Sequence, residues 1–181
     1  MNRVIVFYED RRGEEGDFPF HDLVKSLVFA IVDNDRVEFE RALADCRPLK
    51  GKEKLLRACQ EWQSIAARGE AVAAVFDNDR VRELLSLPTD AADAEVITAI
   101  KSGSSSKLHV ALLDRNLESV IDAVLQCWPD APAKPKKKPD RLFRDVVLKQ
   151  AAQRVELHQC ILEKVPSLGL LRDLLVSLLR E

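Results

Sequence analysis

The chain has 181 residues, of which 46% are hydrophobic and 32% charged, with a formal net charge of -2 at pH 7. This balance is typical of a globular protein that buries its core without covalent cross-links. It does not by itself indicate nucleic-acid binding, although a local basic patch is compatible with it. No apolar stretch reaches the length of a membrane span, and the apolar run at residues 4–8 is too short for a signal peptide. We therefore expect a cytoplasmic protein that does not bind membranes.

The first predicted elements are a strand, a loop and a helix. Residues 4–8 form a continuous apolar run, which is typical of a central strand covered on both faces, and Glu9 follows it directly. Residues 20–32 have apolar side chains at helical spacing. A second strand is expected somewhere in residues 35–50, where a strand and a short helix are equally compatible with the pattern. Residues 51–68 then predict a helix that Gly69 ends.

The next apolar run, residues 71–76, predicts another buried strand and ends in Asp77-Asn78-Asp79. A short helical turn follows, then a helix that Asp90 caps and that ends near Lys101, and then a strand at residues 108–113. Residues 116–127 predict a helix with apolar residues in phase. After them, a Pro/Lys-rich connector leads to a helix over residues 141–163 and a last helix ending near Leu179.

Strands that alternate with helices predict an α/β fold with a mainly parallel, Rossmann-like sheet of about four strands, flanked by helices. A C-terminal helical extension follows it. We predict an α/β domain at residues 1–128, a connector at 129–139 and a helical region at 140–181 that packs on the same domain.

The four cysteines, Cys46, Cys59, Cys127 and Cys160, form no CxxC pair and have no zinc-finger spacing with the three histidines. We expect reduced thiols that serve as small apolar side chains.

Two predicted strands end in carboxylates, Glu9 after the first and Asp77 with Asp79 after the later one. Parallel sheets place ligands at the carboxyl ends of their strands. If the two strands are neighbours, the three carboxylates converge and require a cation, for which hard oxygen ligands favour Mg²⁺ or Mn²⁺. The simpler alternative is that the aspartates cap a turn or a helix.

The order of an apolar strand ending in glutamate, a helix, and an apolar strand ending in Asp-x-Asp resembles the Toprim domain of topoisomerases, primases and OLD-family nucleases. More narrowly, the chain is similar to small stand-alone bacterial Toprim-like proteins related to the OLD nucleases. Leu117-Glu118 and Val165-Pro166-Ser167 resemble further motifs of that group. The chain departs from the pattern at Asp10, where the family has glycine, and at Leu168, where it has phenylalanine.

The resemblance implies a Toprim-like fold and a metal-dependent nuclease or nuclease subunit that hydrolyses phosphodiester bonds in DNA or RNA, in phage defence or DNA repair. Glu9, Asp77 and Asp79 would be catalytic residues and metal ligands, and Glu118 would be a further ligand. Topoisomerase activity is not expected, because the single tyrosine, Tyr8, lies inside the first strand.

The resemblance also implies an ABC-type ATPase partner, because the chain has no GxxxxGK[ST] motif of its own. The helices from Arg141 onward are the candidate docking surface. The alternative function is a non-catalytic, regulatory subunit of such an ATPase. A phosphohydrolase acting on nucleotides is a third hypothesis, and a homo-oligomer is compatible with all three.

Six basic side chains are candidates for binding a nucleic-acid backbone. They are Lys50, Lys52, Arg80, Lys136, Lys137 and Lys138. Lys50 and Lys52 flank a predicted helix start, where anions are favoured. For each group a plain alternative stays open: a solvated turn for Lys50 and Lys52, a structural ion pair for Arg80, and an exposed linker for the three consecutive lysines.

Overall fold

The computed structural model describes residues 1–10, 18–32, 35–61, 70–78, 81–102, 104, 107–114, 117–134 and 141–181. In these residues four strands form one parallel sheet in the order β2-β1-β3-β4. The strands are β1 Val4–Asp10, β2 Cys46–Lys50, β3 Ala71–Asp77 and β4 Leu108–Leu113. The parallel sheet, its flanking helices and the C-terminal helices confirm the predicted α/β, Rossmann-like layout.

The helices follow the predicted order. They are α1 Pro19–Phe29, α2 Arg36–Ala42, α3 Lys52–Glu61, α4 Val81–Leu84, α5 Asp93–Lys101, α6 Leu117–Cys127, α7 Arg141–Gln153, α8 His158–Lys164 and α9 Pro166–Arg180. Within the described ranges, none of them combines the length and apolar character needed to cross a bilayer.

The structure differs from the predicted elements in three places. Residues 35–50 contain both a helix and a strand: Asp35 caps α2 by accepting from the backbone N–H groups of Val37 and Glu38, and β2 follows. The single helix expected over residues 141–163 is interrupted by a short 3-10 helix, Val155–Leu157. The helix expected from about Asp90 begins later, at Asp93.

Helices cover both faces of the sheet because successive strand residues point to opposite sides. Ile5 and Phe7 of β1 pack in one apolar layer with α3, α4 and α5. Val6 and Tyr8 pack in the other layer with α1, α2, α6 and the C-terminal helices. Helices α7, α8 and α9 therefore share a core with the sheet. The predicted domain boundaries stay predictions.

The topology creates a crevice between β1 and β3. From β1 the chain first goes to β2 on one side and then to β3 on the other. In open parallel sheets such a reversal of strand order is the usual ligand-binding position, at the carboxyl ends of the strands. Glu9 of β1 and Asp77 of β3 lie at this crevice.

The expectation of four reduced cysteines is wrong for one pair. Cys127, at the end of α6, and Cys160, in α8, form a disulfide with their Cα atoms 5.8 Å apart. Their spacing of 33 residues gives no sign of this, because only the packing of α8 against α6 brings them together. Cys46 and Cys59 are free thiols, and burial raises the pKa of Cys59 to about 12, so it stays a protonated, apolar side chain. Cytoplasmic localisation stays a prediction, and the reducing cytosol disfavours such a bond.

Candidate functional site

The side chain of Glu9 fills a gap between two strands. The ladder between β1 and β3 stops at Tyr8 and Val75, whereas β1 stays paired with β2 as far as Asp10 and Lys50. In the gap, Glu9 Oε2 accepts the backbone N–H of Asp77 at 3.3 Å. The structure thus brings the Glu9 carboxylate to the backbone of Asp77, whereas the convergence of the three carboxylates stays a prediction.

The second oxygen of the same carboxylate is bound to a lysine. Glu9 Oε1 lies 3.0 Å from Lys52 Nζ, and the two side chains are only 13% and 14% exposed. An ion pair with so little exposure is screened by salt much less than a surface pair. The negative charge of Glu9 is therefore balanced by a cation of the protein itself.

Gly51 explains how Lys52 reaches Glu9. Its φ of +84° is in the left-handed region, which glycine adopts at little cost, and it lets β2 turn directly into α3. A Cβ on Gly51 would meet no atom within 4 Å, so the requirement for glycine comes from the backbone and not from crowding. Lys52 is consequently the first residue of α3 and faces the crevice.

A cavity of about 660 Å³ opens beside this ion pair. Its charged lining consists of Glu9, Lys50, Lys52, Glu53, Lys54 and Glu83. The three lysines and three glutamates balance one another, and Leu84 adds an apolar rim. Such a lining suits a ligand that carries both an anionic group and a bound cation.

Glu9 and Asp77 both lie at the carboxyl end of the crevice, but Asp77 follows the opposite face of the sheet. Val75 packs in the layer of α1 and α6, and Phe76 packs in the layer of α3 and α5, so the strand alternation places Asp77 with Val75. Glu118 is on that side as well, in the first turn of α6, where its Oε1 lies 3.4 Å from Nη1 of Arg144. The structure joins the predicted ligand Glu118 to an arginine, a partner that the sequence did not indicate.

The residue between the two predicted aspartates has a structural role. Asn78 Oδ1 accepts from Arg82 Nη1 at 2.6 Å, and Asn78 Nδ2 donates to Asp93 at 3.3 Å. Arg82 Nε also donates to the carbonyl of Ala91 at 2.8 Å. Arg82 therefore ties the end of β3 to the start of α5. A spacing of four residues from Asn78 to Arg82 is the only signal in the sequence, and it is too common to be predictive.

Ser167 lies at the same edge of the sheet, beside β4. It is buried at the start of α9, and its Oγ accepts the backbone N–H of Asp114 at 3.1 Å. The Val165-Pro166-Ser167 motif thus links the last helix to the carboxyl end of β4. In the sequence, only the resemblance to the OLD-related group marks this motif.

The remaining predicted residues give less information. Asp79, Arg80, Lys136, Lys137 and Lys138 lie outside the described residues. At the start of the Pro/Lys-rich connector, Lys134 pairs with Asp122 of α6 at 2.5 Å.

The carboxylates fit a divalent cation in chemistry, because Glu9 and Asp77 supply the hard oxygen donors that Mg²⁺ and Mn²⁺ prefer. Within the described part of the chain, no group of three His, Cys, Asp or Glu side chains is suited to holding a metal ion. Two carboxylates together with waters and substrate phosphates are a common way of holding Mg²⁺.

Tyr8 is unsuited to act as a nucleophile. It is 1% exposed, and its hydroxyl lies 2.9 Å from His21 Nδ1, while His21 Nε2 lies 2.9 Å from the carbonyl of Leu43. Burial raises the pKa of Tyr8 well above its ordinary value. The absence of a covalent tyrosine link to DNA stays a prediction.

Comparisons with protein-family models, with curated proteins and with solved structures found no match to this chain.

Proposed function

We propose that the chain is a metal-dependent nuclease, or the nuclease subunit of a larger assembly, with its active site at the crevice between β1 and β3. The observation that carries the proposal is the contact of Glu9 with the Asp77 backbone at that crevice, beside a cavity whose charged lining combines three lysines with three glutamates. The resemblance of the same residues to the Toprim motifs supports it.

The chemistry follows from the charges of the site. A divalent cation held by Glu9 and Asp77, with Asp79 as the further predicted ligand, would supply activation of water and stabilisation of the leaving oxygen. Lys50 and Lys52 line the adjacent cavity, and their ammonium groups are proposed to bind the phosphates of a DNA or RNA strand. The carboxylates are thus proposed for the metal, and the lysines for the substrate.

The proposal is tested by Mn²⁺-dependent cleavage of single-stranded and double-stranded DNA and of RNA. Replacing Glu9 with Gln or Asp77 with Asn should lower the rate by more than about a hundredfold, since even outer-shell partners of a metal contribute about ten- to a hundredfold. Glu163→Gln, an exposed glutamate on α8, is the matched control and should cleave like the wild type. Cleavage that survives both site substitutions would refute the assignment.

A non-catalytic subunit of an ABC-type ATPase is the second candidate function. The observation that favours it is the ion pair between Lys52 and Glu9, which already neutralises the predicted metal ligand. Calorimetry separates the two proposals: Mn²⁺ binding that Asp77→Asn abolishes supports the nuclease. A wild-type protein that binds no Mn²⁺ but binds an ATPase supports the regulatory subunit.

A further inference from the structure

Lys52 forms an ion pair with Glu9, the residue proposed above as a metal ligand. Its ammonium group is 3.0 Å from Oε1, while Oε2 accepts the backbone N–H of Asp77. Both oxygens of the carboxylate are therefore engaged, one of them by a positive charge. A cation that binds Glu9 is therefore repelled by the ammonium group of Lys52.

A divalent cation and the ammonium group cannot share the carboxylate without strong repulsion. A metal ion binds carboxylate oxygens at about 2.0–2.6 Å, so an ammonium group that stayed in place would lie within a few ångströms of it. Repulsion at such a distance is strong where water is largely excluded, and the pair is only 13% and 14% exposed. Metal binding therefore requires the ion pair to break.

The structure offers the displaced ammonium group a place to go. Lysine has a flexible four-carbon stem, and Lys52 lines the cavity of about 660 Å³ together with Lys50 and Glu53. Rotation about the bonds of this stem can carry Nζ away from Glu9 and towards the cavity. The cavity then gains one ammonium group that is no longer neutralised by Glu9.

We infer that Lys52 is an internal counterion of Glu9 that competes with the divalent cation and is released towards the substrate when the cation binds. This inference rests on the proposed function, since it requires a metal site that includes Glu9. By linkage, a phosphate that engages the released Lys52 strengthens metal binding, and the metal strengthens phosphate binding. Lys52 is thus a positioning residue that couples the two.

The test is Mn²⁺ binding by calorimetry to the folded full-length chain, with circular dichroism to verify the fold of each variant. Lys52→Met removes the competing charge and should tighten Mn²⁺ binding by about fivefold or more, the lower end of typical coupling between two sites. Lys52→Arg keeps the charge and should bind Mn²⁺ as weakly as the wild type does. Lys54→Met is the matched control, because Lys54 lines the same cavity and its removal changes the net charge equally.

The outcomes separate this inference from the proposed function. Tighter binding by Lys52→Met than by Lys54→Met supports the competition. Equal affinities, or weaker binding by Lys52→Met, overturn it while the metal site stands. If neither the wild type nor Lys52→Met binds Mn²⁺, the metal site and the inference fall together.

Discussion

At the residue scale, the buried His21 makes stability depend on pH. Its Nδ1 accepts from the Tyr8 hydroxyl and its Nε2 donates to the Leu43 carbonyl, which is the pattern of a neutral imidazole. Burial lowers the pKa of His21 from its ordinary value of 6.5 to about 4. Between about pH 6.5 and pH 4 the unfolded chain therefore binds a proton at His21 that the folded protein does not bind.

The sign of the effect follows from this difference. The contribution of His21 to the free energy of unfolding is complete above about pH 6.5 and is lost as the pH falls towards 4, by about 3 kcal/mol in all. We expect the free energy of unfolding of the wild type, measured in urea at a series of pH values, to show this loss. In His21→Gln, the free energy of unfolding should depend clearly less steeply on pH. His109→Gln is the control, because His109 is less buried than His21. If the free energy of unfolding of His21→Gln depended on pH as steeply as that of the wild type, His21 would not be the source of the effect.

At the scale of elements, the disulfide ties helix α8 to helix α6. Cys127 and Cys160 are 33 residues apart, and the closed loop contains the Pro/Lys-rich connector and α7. Closing a loop of this length lowers the entropy of the unfolded chain by an amount worth about 3–4 kcal/mol of stability. Replacing both cysteines with alanine should therefore lower the free energy of unfolding by about that much, as measured in urea.

Two comparisons isolate the bond in this experiment. A thiol reductant should destabilise the wild type and leave the double variant unchanged. Cys46→Ala, which removes a free thiol, should respond to the reductant as the wild type does. A wild type that unfolds identically with and without reductant would show that the bond contributes no stability.

For the molecule as a whole, the net charge says less about nucleic-acid binding than the position of the basic side chains does. The net charge is only -2, yet Lys50, Lys52 and Lys54 line one cavity at the carboxyl edge of the sheet. The affinity for a nucleic-acid strand should then depend on salt through the phosphates that these few lysines bind. Removing one lysine that binds a phosphate should reduce the slope of log K against log salt by about 0.7 for single strands.

Lys50→Ala is the variant for this measurement, made with a fluorescent single-stranded oligonucleotide in metal-free buffer so that no cleavage occurs. Its slope should be smaller than that of the wild type by about 0.7. Lys107→Ala is the control, because Lys107 directly precedes β4 and so lies at the amino-terminal ends of the strands, away from the cavity. Equal slopes for the two variants would remove Lys50 from the proposed interface.

Much of the fold was predictable because the signals are local. The apolar runs before Glu9 and Asp77 indicate strands buried on both faces, and alternation with helices indicates a parallel sheet. In such a sheet, strand ends share one edge, so the sequence predicts that two acidic strand ends lie together. The exact helix bounds, such as the interruption at Val155–Leu157, were not predictable because they depend on packing against other helices.

The fold class, the position of the acidic residues at the carboxyl ends of the strands and the nature of the side chains there could therefore be predicted from the chain alone. Packing between the elements sets which side chains pair: Lys52 with Glu9, Arg144 with Glu118, and Arg82 with Asn78. The same is true of the Cys127–Cys160 disulfide. The physical reason is that periodicity reports which face of an element is apolar, whereas a pairing between elements depends on strand order and on how the helices dock.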